Sequence, residues 1–194
     1  MRKLLPVIQF SHQLVATKLQ SGGHAVDATA GNGNDSLFML NHMKKNAHLY
    51  IFDIQEQALN NTKEKIIHKF GTQEIINANR KIHFLCTGHE NLKRHVHSKV
   101  KVIMFNLGYL PGSDVSIITK PNTTLEAIES GLELLETSGL ISVVLYPGHD
   151  GGDKEANLVS EYVTKLNSYD YGVILYKQMN KEKSPFFIGI EKKR

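Results

Sequence analysis

Val26-Asp27-Ala28-Thr29-Ala30-Gly31-Asn32-Gly33-Asn34-Asp35 is the stretch that decides the fold of this chain. A short apolar run at residues 24–28 leads into it, and a helix-like pattern over residues 35–43 leaves it. A strand that turns through glycines into a helix is where open α/β sheets bind nucleotides. Gly31 and Gly33 allow a sharp turn and a close backbone approach to a ligand, with no Cβ in the way.

Working outward, β-rich runs alternate with helical patterns almost to the end. Residues 48–52, 81–86, 100–105 and 140–146 read as strands, and residues 55–70 place Leu59, Ile66, Ile67 and Phe70 on one helix face. Thr123-Thr124-Leu125-Glu126 matches a capping box, with Leu125, Ile128, Leu132 and Leu135 following at helical spacing until Gly139. A polar helix over 153–167 leads to strands at 171–176 and 186–191. Alternation of this kind predicts a seven-stranded, mostly parallel sheet with helices on both faces. The short connection at 177–185 makes the last strand antiparallel. Residues 1–22 read as an extra N-terminal helix with Val7, Phe10 and Leu14 on one side. With no linker or repeat, residues 1–194 are expected to form a single domain.

Composition narrows the class. Hydrophobic residues make up 41% and charged residues 22% of the 194, which suits a soluble domain with a substantial core. No apolar run is long enough for a bilayer span and no signal-peptide pattern opens the chain, so a cytoplasmic location and no membrane partner are expected. A single cysteine, Cys86, excludes an internal disulfide and a Cys-based zinc site. The ten histidines include no helix-spaced pair with a carboxylate, so no metal is expected. The net charge of +4 favours a polyanionic partner only weakly. Its carriers are scattered: Arg2-Lys3, Lys93-Arg94, Lys99 and Lys101, Lys181 and Lys183, Lys192-Lys193-Arg194.

The ligand class follows from what the first loop lacks. Asp53 ends the second strand about 20 residues after Gly33, where a carboxylate accepts both ribose hydroxyls. A dinucleotide site needs a third glycine where Ser36 stands, because the helix must pack closely beside the pyrophosphate. S-adenosylmethionine has no phosphates and carries an amino-acid tail, whose ammonium Asp27 can receive directly or through water. Asp27, Gly31 and Gly33 fit the acidic-then-glycines loop of class I methyltransferases, with Thr29 where a first glycine is more usual.

Three more strand ends add chemistry. In Cys86-Thr87-Gly88-His89-Glu90, Gly88 allows close approach and His89 or Glu90 either contacts the adenine or caps the next helix. Asn106-Leu107-Gly108-Tyr109-Leu110-Pro111 resembles the Asn-Pro-Pro-Tyr element of amine-directed methyltransferases, with Leu107 and Gly108 in place of the prolines. Transfer is an in-line displacement, so the amine lone pair must lie along the S–CH₃ axis. An amide oxygen at Asn106 can aim it, and Tyr109 can stack on a base. Tyr146-Pro147-Gly148-His149-Asp150-Gly151-Gly152 shapes the substrate mouth; His149 is either a proton acceptor near neutrality or an ordinary loop histidine. Residues 112–121, with Lys120, read as a lid.

Taken together these motifs resemble, end to end, the small bacterial class I methyltransferases called rRNA methylases. The match includes Phe52-Asp53-Ile54-Gln55, Gly88-His89-Glu90, Thr119-Lys120-Pro121-Asn122-Thr123-Thr124 and Ser184–Glu191; Pro147 departs from the histidine that often follows the tyrosine. The resemblance implies a Rossmann-like fold, S-adenosylmethionine as cofactor, and methylation of the amine of 5-aminomethyl-(2-thio)uridine at the wobble position of tRNA. It implies an anticodon stem-loop as partner and leaves a homodimer open. The implied catalytic residues are Asn106, Tyr109 and His149. The cofactor residues are Asp27, Gly31, Asn32, Gly33, Asn34, Asp35, Asp53, Ile54, Gln55, Gly88, His89, Glu90 and Asn106. The rivals are an rRNA or small-molecule amine methyltransferase, a dinucleotide oxidoreductase and a non-catalytic binding module.

Overall fold

The structure, a computed structural model, describes residues 4–71, 80–108, 119–148 and 151–194. Its elements run α1 (Val7–Leu19), β1 (Ala25–Asp27), α2 (Asn34–His42), β2 (His48–Asp53), α3 (Glu56–Phe70) and β3 (Lys81–Cys86). A 3₁₀ turn (His89–Asn91), α4 (Leu92–His95), β4 (Val100–Asn106), α5 (Pro121–Leu134) and β5 (Leu135–Leu145) follow. The chain continues through α6 (Gly152–Thr164), β6 (Tyr171–Lys177) and β7 (Phe186–Lys192). The strands form one sheet in the order β3-β2-β1-β4-β5-β7-β6. β1 to β5 pair in parallel, while β7 runs antiparallel between β5 and β6. This is the Rossmann-like class I methyltransferase architecture expected from the sequence.

Side-chain alternation explains the continuous apolar run of β4. Ile103 and Phe105 enter one core cluster, while Val102 and Met104 enter the other. The first cluster is covered by α4, α5 and α6 through Leu92, Ile128, Leu132 and Val159. The second is covered by α1, α2 and α3 through Val15, Leu19, Met39 and Ile66. Because β2 and β4 flank β1 on opposite sides, strand order reverses there, and the crevice above that point is the natural ligand position.

Three local expectations are corrected. The buried stripe of α1 is Ser11, Val15 and Leu19, one step round from the expected face. Its Ser11 and Ser142 hydroxyls hydrogen-bond at 2.8 Å, and Phe10 stacks on Tyr176 with centroids 4.1 Å apart. α5 starts at Pro121, whose missing N–H costs nothing in the first turn; Thr123 Oγ1 instead donates back to the Lys120 carbonyl at 3.0 Å. Strand β5 begins at Leu135 and not at 140, because Val100 pairs with Leu135 and Val102 with Leu140. The intervening residues bulge out, with Ser138 at φ 63°.

Candidate active site

The carboxyl ends of β1 to β5 surround a cavity of about 480 Å³. That volume lies within the roughly 300–1,000 Å³ of small-molecule sites. The β1–α2 loop contributes Gly31, Asn32, Asn34 and Asp35 to its wall; β2 contributes Asp53, Ile54 and Gln55. Gly88, His89 and Glu90 come from the end of β3, and Asn106 from β4. Asp27 and Gly33 are not on the wall. Tyr109 and His149, and residues 112–118 of the expected lid, lie outside the described residues.

Gly33 is the left-handed N-cap of α2, at φ 72°. A Cβ there would stand 2.9 Å from Thr62 Cα, so the requirement is close packing of α2's start on α3. Gly31 has φ 52°, and its N–H donates to Asp53 Oδ2 at 2.9 Å. The N–H of Gln55 donates to Asp53 Oδ1, also at 2.9 Å. Two backbone donors therefore orient the Asp53 carboxylate, and the remaining lone pairs on its oxygens can accept a ribose diol. Beside it Ile54, 58% exposed, offers an apolar surface to a flat base. Lys65 of α3 clamps the same loop, donating to the Asn32 carbonyl at 2.8 Å and to Asn34 Oδ1 at 2.6 Å.

Asp27 is fully buried beneath the loop, accepting from the Thr29 N–H at 3.2 Å and from the Ser36 hydroxyl at 2.5 Å. Burial, then the nearby Asp35 charge, pushes its carboxyl up to about 7. Ser36, where a dinucleotide loop would have glycine, is thus the hydroxyl that holds this carboxyl group. Thr29 explains the other departure from the glycine pattern. Its Oγ1 accepts from the Asn106 N–H at 2.8 Å, tying the tip of β1 to the tip of β4. Glycine could not make that contact.

Asp35 sits in the first turn of α2, where a carboxylate is favoured by the helix dipole. It accepts from His12 Nε2 of α1 at 2.7 Å and from Asn106 Nδ2 at 3.2 Å. His12 also stacks on Phe38, with centroids 3.8 Å apart. Because the Asn106 amide nitrogen is committed to Asp35, its oxygen is left as the acceptor. His89 is buried, and the Ala28 carbonyl 3.2 Å from Nδ1 puts the proton on that nitrogen. Burial holds this imidazole below its usual pKa, which favours the neutral form, and Nε2 is unpartnered among the described residues. Tyr146, also on the wall, has its phenol pushed up to about 12 by burial and by Asp35.

Sequence reading missed several supports. Besides Thr29, His12 and Lys65, buried Glu155 of α6 accepts from Thr119 Oγ1 at 2.9 Å and Thr124 Oγ1 at 2.6 Å, holding the start of α5 beside the cavity. Among the described residues no group of three or more His, Cys, Asp or Glu could hold a metal, and no helix is long and apolar enough to cross a membrane.

The family model described as "Putative rRNA methylase" matches residues 49–191. An Arabidopsis thaliana protein named "tRNA (mnm(5)s(2)U34)-methyltransferase, chloroplastic" is 32% identical over 192 residues, covering 95% of this chain and 69% of that protein. The crystal structure of a "putative rRNA-methylase" from Clostridium thermocellum superposes with a TM-score of 0.90 at 33% identity, covering 98% of this chain and 100% of that one. A Streptococcus mutans "putative methyltransferase" in complex with SAH gives a TM-score of 0.84 at 37% identity, covering 97% and 99%. SAH is the demethylated form of S-adenosylmethionine, which is the cofactor here. The held carboxylate of Asp53, the apolar Ile54 and the cavity volume fit such a nucleoside.

Proposed function

This chain belongs to the family described as "Putative rRNA methylase", and from that premise we propose its reaction. It transfers a methyl group to the amine of 5-aminomethyl-(2-thio)uridine at the wobble position of tRNA, giving 5-methylaminomethyl-(2-thio)uridine. Residues 1–194 act as one cytoplasmic methyltransferase domain, with residues 1–22 as its helical extension. The observation that carries the amine specificity is the Asn106 amide, whose nitrogen donates to Asp35 and whose oxygen is left to accept an amine hydrogen. The relative named for a wobble-uridine reaction supports the choice of amine.

The cofactor supplies an electrophilic methyl group on a sulfonium sulfur. Asp53 accepts the ribose hydroxyls, Ile54 packs against the adenine, and Gly31, Asn32 and Asn34 enclose the amino-acid end. Gly88, His89 and Glu90 close the adenine side. An alkylammonium has no lone pair, so the substrate must first give up a proton to water or to His149. Asn106 Oδ1 then accepts one N–H and directs the lone pair at the methyl carbon. Tyr109 stacks on the splayed base. As the N–C bond forms the S–C bond breaks, and the new secondary ammonium releases a proton to solvent. An aliphatic amine is a strong nucleophile once neutral, so orientation and desolvation carry most of the acceleration.

Nucleoside mass spectrometry of tRNA from a strain lacking this protein tests the proposal. Aminomethyl-thiouridine should accumulate while its methylated form disappears, and purified protein with S-adenosylmethionine should restore it in vitro. An unchanged tRNA profile with a missing rRNA methyl group would move the substrate to rRNA.

A further inference from the structure

Many of the basic residues that look scattered along the sequence group in space at the two edges of the sheet. At the amino edge of the sheet several cations are paired, while Lys44, Lys45, Lys69, Lys81 and Arg94 are not, among the described residues. Lys101 meets Glu136 at 3.1 Å, Lys93 meets Glu133 at 2.5 Å, Lys165 meets Glu161 at 2.7 Å, and Arg194 meets Asp170 at 2.7 Å. Lys18 pairs with Glu191 at the same edge. Three more lysines there cap carbonyls: Lys99 donates to Glu133 at 2.5 Å, Lys192 to Leu132 at 3.2 Å, and Lys193 to Ser168 at 2.7 Å. The Glu133 and Leu132 carbonyls end α5, where the helix dipole favours a cation.

At the carboxyl edge, on the side of the cavity formed by α5, α6 and the β6–β7 turn, five lysines stand together unpaired. Lys120, Lys154, Lys177, Lys181 and Lys183 make no side-chain ion pair or hydrogen bond among the described residues. Lys120 is the N-cap of α5 and lies on the cavity wall; Lys154 is in the first turn of α6. Both cations therefore sit at the positive ends of helices, where the dipole disfavours them. Lys177 pairs in register with Phe186, and Phe186 with Leu145, which sets the β6–β7 turn beside the end of β5. The Lys177 ammonium is 5.3 Å from the Phe186 ring centroid. A Cβ on Gly148 would stand 3.3 Å from the Lys183 carbonyl oxygen, so this turn abuts the segment that carries Tyr146 onto the cavity wall. The acidic groups nearest these lysines are exposed Asp153 and Glu182 and buried Glu155, which is occupied by two threonines; Asp35, Asp53 and Glu90 lie at the same edge on the cavity wall.

We infer that this unneutralised lysine arc docks the phosphate backbone of RNA over the cavity, with Lys181 and Lys183 of the β6–β7 turn as the main contacts. The inference rests on RNA being the substrate, as proposed above. A nucleoside splayed into a cavity brings its own 5′ and 3′ phosphates to the rim, and uncompensated cations ringing that rim match them.

The test measures binding of a fluorescent anticodon stem-loop by anisotropy across a salt series, with methylation kinetics alongside. The variants are Lys181→Ala with Lys183→Ala, and, as an amino-edge control, Lys99→Ala with Lys193→Ala. Removing two phosphate contacts should lower the salt slope by about 2 and raise KM about tenfold. It should leave kcat and S-adenosylmethionine affinity within about twofold, and the control pair should match wild type. A wild-type slope in the carboxyl-edge variant, or equal loss in the control, overturns the docking surface while leaving the reaction intact. A wild-type protein that neither binds nor methylates tRNA overturns the substrate reading, and the surface with it.

Discussion

The amide nitrogen of Asn106 donates to the Asp35 carboxylate across 3.2 Å, and that carboxylate is held from its other side by His12 of α1 at 2.7 Å. The N-terminal helix thereby reaches the residue proposed to orient the substrate amine. His12 is half-buried against Phe38, which fixes its ring plane, and Asp35 passes that constraint to Asn106.

His12→Phe should keep the stack on Phe38 while deleting the donor. A hydrogen bond to a charged group is worth about 1.5–3 kcal/mol. Even partial release of Asp35 should therefore lower kcat about tenfold, with S-adenosylmethionine affinity changed less than threefold. Single-turnover kinetics and calorimetry on the same preparation separate the two. Equal loss of both would reduce His12 to a packing residue.

Asn106→Ala should cost at least about a hundredfold in kcat, because the amine loses the acceptor that aims it. Cofactor binding should stay within a few fold, since Asp53 and the first loop are untouched. Affinity falling in step with turnover would assign Asn106 to the cofactor instead.

Gly33→Ala forces a side chain onto a backbone at φ 72° and onto the α3 backbone at Thr62, where no rotamer relieves the contact. Combined strain and overpacking should remove about 2 kcal/mol or more. For a chain of this size that lowers Tm by about 4–8 °C. A thermal melt within 1–2 °C of wild type would show that the loop relaxes freely (roughly 0.5 kcal/mol).

Asp27 gives stability a pH signature. Its folded carboxyl titrates near 7 and its unfolded one near 3.8, so between those values the native state holds a proton the unfolded chain has released. Its contribution is present at low pH and declines as pH rises through that window, by at most about 1.4 kcal/mol per unit. Neutral His89, held below its usual pKa, acts in the opposite sense below its unfolded value. The clean observable is therefore the difference between wild type and Asp27→Asn, measured by urea denaturation at several pH values. The variant should gain on wild type steadily from pH about 4 to 7 and no further above it. A flat difference would mean that Asp27 is ionised throughout.

Local pattern made the frame of the site legible. Nearly continuous apolar runs marked β4 and β5, the glycines marked the turn of the first loop, and a carboxylate at a strand end marked Asp53. What stayed hidden was contact between distant segments. Thr29 looked like an imperfect glycine position because its partner, the Asn106 N–H, lies 77 residues away. His12 fell in a segment that read as a peripheral helix, yet it joins Asp35, 23 residues on. The bulge after Leu135 was misread because Glu136-Thr137-Ser138-Gly139 has the chemistry of a helix stop, and only the register against β4 shows it inside a strand. Charge was illegible for the same reason: lysines close in sequence sort to opposite edges only once the sheet is built.

The last strand in the chain, β7, is an interior one, lying between β5 and β6. During synthesis on a ribosome, β5 and β6 emerge first and have no strand to join them. The outer side of β5 stays an open template until Phe186–Lys192 clears the exit tunnel. Vectorial folding can thus complete the half of the sheet that lines most of the cavity well before β6 and β7, on which Phe10 of α1 packs through Tyr176 and Phe187. A nascent chain should bind the nucleoside earlier than it can use it.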